Sequence, residues 1–109
     1  MSDRELLEKA AKAAEVDWFR RTDGGMWLKS GGIWNPLTDD GDALRLAVNL
    51  VLDIEFVWDD VPEETAIANV RVTSIGGEAC VFEELGFDPA TATRRAIVRA
   101  AAEIGKEMK

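Results

Sequence analysis

The feature that most constrains this chain is a set of period-two segments in its second half. Over residues 53–58, Ile54, Phe56 and Trp58 alternate with Asp53, Glu55 and Val57. Over residues 66–73, Ala68, Val70 and Val72 alternate with Asn69, Arg71 and Thr73. Successive strand side chains point to opposite faces, so each run predicts a strand with one wet face and one face that needs cover. Gly76 and Gly77 turn the chain into a further strand over 78–82, and Gly86 and Pro89 close the region. Connections this short favour antiparallel pairing.

The cover comes from helices. Residues 2–15 predict the first: Ser2 and Glu5 form a capping box, and Leu6, Leu7, Ala10, Ala11 and Ala14 form an apolar stripe. A hairpin follows, with strands over 17–21 and 26–29 around Thr22-Asp23-Gly24-Gly25. Ile33 and Trp34 form a short strand or an extended approach to Pro36. A second helix runs from Thr38 or Asp39 to about Leu50. Leu44, Ala47, Val48 and Val51 recur along it at helical spacing, which marks them as its apolar face. The last helix has Asp88 as cap and Pro89 in its first turn, with Ala90, Ile97, Ala101, Ile104 and Met108 on one face. The order is α-β-β-α-β-β-β-α. It predicts an α+β fold: a mostly antiparallel sheet of four to five strands, flanked by three helices on one or both faces.

Composition narrows the class. With 109 residues, 47% of them hydrophobic, the chain fits one domain and can bury about two-thirds of its unfolded surface. The longest apolar stretch, 44–58, is broken by Arg45, Asn49, Asp53 and Glu55, so no membrane span is expected. Residues 1–15 lack the apolar core of a secretion signal, and a single cysteine, Cys80, argues for a reducing compartment. A cytoplasmic protein is therefore expected. One Cys and no His leave no set of zinc ligands and no Ser-His-Asp arrangement. The expectation is a protein that is not an enzyme and has no cofactor or metal. The net charge of −8 repels nucleic-acid phosphates and suits either a basic protein partner or plain solvation.

Several groups are candidates for a partner or ligand surface. Asp39, Asp40 and Asp42 lie where a hard cation would find oxygen ligands, but their spacing departs from the calcium-loop pattern, and helix capping is the simpler role. Trp34 precedes them in an Asn-Pro turn that Asn35 can hold by local hydrogen bonds. Trp34 belongs with Trp18, Trp27 and Trp58 to a set that fills a small core or forms an aromatic patch. Arg94, Arg95 and Arg99 form a basic patch able to bind an anion, or a solvated face paired to Glu103. Asp59, Asp60, Glu63 and Glu64, with Glu83-Glu84, are acidic segments that mimic phosphate toward a basic protein or simply solvate their loops. Cys80, with no His or Lys beside it, reads as a buried, inert thiol.

Three segments carry a family resemblance. The run Trp34-Asn35-Pro36-Leu37-Thr38-Asp39-Asp40-Gly41-Asp42-Ala43-Leu44-Arg45-Leu46-Ala47-Val48 resembles the core motif of the phage ABA-sandwich domain family. Residues 92–105 resemble that family's closing helix, and residues 6–14 its usual start. The resemblance implies a small phage or prophage protein in the bacterial cytoplasm, with helices on both faces of a sheet. It brings no catalytic residue. The expected function is a non-enzymatic accessory protein acting by protein–protein contact, one version being an inhibitor of a host nucleic-acid-binding or defence protein. The alternative is a small anionic ligand or nucleotide-binding module using the Arg94/Arg95/Arg99 side or the second helix's N-terminus. An uncovered Trp or strand edge would favour a homodimer.

Overall fold

The computed structural model describes residues 2–58 and 68–108. Its elements are α1 (Asp3–Ala13), β1 (Trp18–Arg20), β2 (Met26–Leu28), α2 (Asp40–Asn49), β3 (Asp53–Trp58), β4 (Ala68–Thr73), β5 (Cys80–Glu84) and α3 (Pro89–Glu107). This is an α+β fold in the expected order. The strands, however, form two sheets instead of one: a hairpin of β1 and β2, and a three-stranded antiparallel sheet in the order β3-β4-β5. Two closely spaced glycines explain the split. Gly31 and Gly32 both take positive φ after β2, so only an isolated bridge, Trp27 to Ile33, continues the hairpin before the chain leaves for α2.

Helix ends follow their local chemistry. The Ser2, Asp39 and Asp88 side chains accept hydrogen bonds from the backbone N–H groups of Glu5, Asp42 and Thr91, so each caps its helix. α1 and α2 stop at residues in the left-handed region, Glu15 and Val51. Just beyond each, a backbone N–H reaches back to close the last turn, Val16 to Ala11 and Leu52 to Ala47, both at 2.9 Å.

The sheet has one covered face. Register places Ile54, Val72 and Val81 in one row and Phe56, Val70 and Glu83 in the next, on the same side. Val70, Val72 and Val81 are buried there, in one cluster with Ile97 and Val98 of α3 and Leu46 of α2. α1 lies along α3 and runs parallel to it: Asp3 pairs with Arg95 near their starts, and Lys12 donates to the Met108 carbonyl near their ends. The buried sides of both helices are rich in alanine, which lets their backbones come close.

Among the described residues, the other face of the sheet is open. Phe82 is 53% exposed there, Cys80 and Glu55 are exposed, and Arg71 is paired with Glu55. That salt link raises the Arg71 guanidinium above its ordinary pKa, chiefly through the Glu55 hydrogen bond. Among the described residues, helices on both faces of the sheet are not seen. The expectation of a buried Cys80 is corrected: its register partner is Thr73, which puts it on the open row. No helix of the described residues is long and apolar enough to cross a membrane.

Candidate functional site

The acidic start of α2 is bound inward by its own chain. Asp39 accepts from the Asp42 N–H at 2.8 Å. Asp42 is 6% exposed and accepts from the Asn35 N–H at 2.9 Å and from Arg45 at 2.6 Å. Asn35 holds the turn from both ends: its side-chain oxygen accepts from the Leu37 N–H, and its carbonyl from those of Thr38 and Asp39. Asp40 meets Arg94 at 2.5 Å, and Arg94 also donates to the Leu37 carbonyl and the Thr91 hydroxyl, both at 2.9 Å. Arg94 thus ties α3 to the entry of α2. Among the described residues, no group of three or more Asp, Glu, His or Cys side chains converges for a metal ion.

The three arginines do not act as one patch. Arg95 pairs with Asp3 of α1 at 3.1 Å. Arg99 pairs with Glu83 of β5, not with Glu103, and donates to the Phe82 carbonyl at 3.2 Å. Each guanidinium is committed to a different acid in a different direction. Trp34 is buried in the core, and Trp18 and Trp27 are half-buried under Arg20 and Arg21. Asp59, Asp60, Glu63 and Glu64 lie outside the described residues.

One surface escaped the sequence reading. Helix α2 buries Ala43, Leu46 and Ala47, not the full stripe expected of it. Leu44, Val48 and Val51 stand 61%, 67% and 62% exposed. They follow each other at i, i+4 and i+7, so they share one face of the helix and its end. The stripe runs into a groove of about 350 Å³ between α2, β3 and α3, lined by Leu44, Ala43, Ile54, Phe56, Ala90 and Ile97. Phe56, at the lip, is 55% exposed. The signal was present in the sequence: residues 43, 44, 46, 47, 48, 50 and 51 are all apolar and fan over about half of the helix circumference, opposite Asp42, Arg45 and Asn49. An apolar arc that wide exceeds the single face that one packed side of the helix can bury.

What this corner can do chemically is bind. Arg94 and Asp40, the charged groups at its rim, already neutralise each other. Leu44 and Phe56 line this groove together, and Val48 and Val51 continue the exposed apolar row along α2. A comparison of the chain with family models, curated proteins and solved structures finds no match.

Proposed function

We propose that this chain is a non-enzymatic accessory protein that works by contact with another protein. The observation supporting this is the apolar corner formed by Leu44, Val48, Val51 and Phe56 on a chain of net charge −8. Exposed apolar side chains grouped at helical spacing cost solubility and are explained by a partner that buries them. The finer version, a phage or prophage protein of the ABA-sandwich family that restrains a host nucleic-acid-binding or defence protein in the bacterial cytoplasm, draws on the motif around residues 34–48 and on the acidic charge. A field of that sign attracts basic surfaces of the kind that bind nucleic acid. The reading as an anion or nucleotide module has less support, because Arg94, Arg95 and Arg99 already hold Asp40, Asp3 and Glu83.

The test is affinity capture from a bacterial host lysate by the full chain and by a Leu44→Asp/Val48→Asp variant. The expected result is at least one protein retained by the wild type and lost by the variant, with the variant's circular dichroism unchanged. Identical capture by both chains, or by neither, counts against the reading.

A further inference from the structure

We propose that the outward face of the β1–β2 hairpin binds a proline-rich segment of another protein, neutral or basic in charge and held in the extended polyproline II form. This face shares no residue with the α2–β3 corner, so the proposal goes beyond the reading of that corner and does not depend on it.

An apolar row crosses the hairpin. Phe19 is the register partner of Trp27, and Trp27 bridges to Ile33. The bridge is closed by the Leu28 N–H on the Gly32 carbonyl and the Trp34 N–H on the Met26 carbonyl, both at 2.9 Å. Directly paired residues of an antiparallel ladder share a face, so these three side chains stand in line across three strands. Met26, on the opposite face, is buried in the core. Phe19 and Ile33 are 46% and 63% exposed, and Trp27 between them is half-buried.

The spacing of the row matches one ligand. Neighbouring strands lie about 4.7–4.9 Å apart, which puts Phe19 and Ile33 about 9–10 Å from each other. One turn of polyproline II takes three residues and advances about 9 Å. A peptide laid across the strands therefore sets residues i and i+3 on Phe19 and Ile33 and passes over Trp27 between them.

The chemistry of Trp27 agrees. Its Nε1 is a buried polar atom without a hydrogen-bond partner among the described residues. A polyproline II chain has no internal hydrogen bonds, so its carbonyls are free to accept from such a donor. The Arg21 guanidinium lies over the Trp27 ring, 4.2 Å from its centroid. Among the described residues, the other seven arginines each pair with a carboxylate, and Arg21 pairs with none. It rests on the ring by a contact that is weak at an exposed site, and it marks the place a ligand takes.

Charge selects between the two extended ligands that use aromatic rows, single-stranded nucleic acid and proline-rich peptide. The net charge of −8 repels the first. Arg21 and Lys29 are matched in number at this face by the exposed Asp17 and Asp23, so no local excess of positive charge calls for phosphate. A neutral or basic peptide meets no such barrier.

The test is fluorescence polarisation of a fluorescein-labelled decaproline peptide ending in arginine, titrated with the full chain. Saturable binding in the micromolar range is expected. Ile33→Asp and Phe19→Ser, both at exposed positions, should each weaken it by about tenfold or more with circular dichroism unchanged. Arg21→Ala should bind as tightly as the wild type or more tightly, since it removes the group that covers the ring. In heteronuclear NMR the Trp27 indole N–H, identified by its loss in Trp27→Phe, should shift most among the four indole signals. Absence of saturation at millimolar chain overturns the proposal. So does binding indifferent to Ile33→Asp and Phe19→Ser, or a Trp27 indole signal that does not move. Loss of binding in Arg21→Ala overturns it in favour of an anion site, and tighter binding of a ten-nucleotide oligothymidylate overturns it in favour of nucleic acid.

Discussion

The backbone of Lys9 occupies the space where Gly105 would carry a side chain. A Cβ on Gly105 would overlap the Lys9 carbonyl oxygen, standing 2.8 Å from its carbonyl carbon and 3.3 Å from the Ala13 nitrogen. The obstacle is main chain on a neighbouring helix, which cannot swing away as a side chain can. Helix propensity favours alanine over glycine by up to about 1 kcal/mol, so an exposed site would gain from Gly→Ala. Here overpacking wins. Gly105→Ala should destabilise the fold by about 1–3 kcal/mol in denaturant titration, and Gly105→Val by more. A neutral or stabilising Gly105→Ala would mean that α1 and α3 are not in backbone contact.

Asp42 should behave as a structural acid. Its carboxylate is buried and joins the Asn35 N–H to Arg45. Asp42→Ala leaves that N–H without its partner and should cost about 1–3 kcal/mol in equilibrium unfolding. Asp42→Asn keeps one acceptor oxygen for Asn35 and should cost less. Equal losses from both would show that charge alone matters there.

Val51 carries backbone strain where it is least expected. Its φ is 53°, a conformation that a β-branched residue adopts at a cost of roughly 1–2 kcal/mol, while its side chain is displayed to solvent. Val51→Gly should therefore stabilise the monomer by up to about 1 kcal/mol in thermal or chemical unfolding. Strain kept for a displayed side chain fits a binding role.

Acid should reach α3 through its cap. Asp88 has a carboxyl below the ordinary value of 3.8, mainly because it accepts a hydrogen bond from the Thr91 hydroxyl, then from the Thr91 N–H. A carboxyl lowered on folding contributes stability that is present above its unfolded pKa and lost as pH falls through its folded one. The wild type should thus lose this contribution as pH drops below about 4. Asp88→Asn should show a shallower fall over the same range while also being less stable at neutral pH. Parallel acid limbs in the two proteins would rule out a titrating cap.

Most of the fold's local detail was legible in the residues. Ser2 and Asp88 cap the helices they were expected to cap, and Asp39 caps the one whose start was placed at Thr38 or Asp39, because a cap is decided within four residues. β3 spans the expected 53–58, and Val70 and Val72 face the core as their alternation required. The candidate surface was not legible in the same way. Leu44, Ala47, Val48 and Val51 recur at helical spacing and were expected as the apolar face of α2, yet of these Ala47 alone is buried. The core took the smaller Ala43 and Ala47 with Leu46, so the larger residues were left outside. Arg94, Arg95 and Arg99 looked like neighbours on one helix, but their partners come from the α2 start, α1 and β5.

The sequence by itself determined the order of helices and strands, the residues that cap the helices and the alternation along β3 and β4, since those depend on interactions a few residues apart; the last strand, expected over 78–82, is shifted to Cys80–Glu84 by a short 3-10 turn over Ile75–Gly77. Tertiary structure decided that the strands divide into two sheets, that α1 and α3 meet backbone to backbone, and which part of the wide apolar arc of α2 stays wet. Each of those outcomes is set by packing between segments far apart in the chain. Hydrophobicity says that α2 must be covered; only the space left by α3 and the sheet says which side is covered from within.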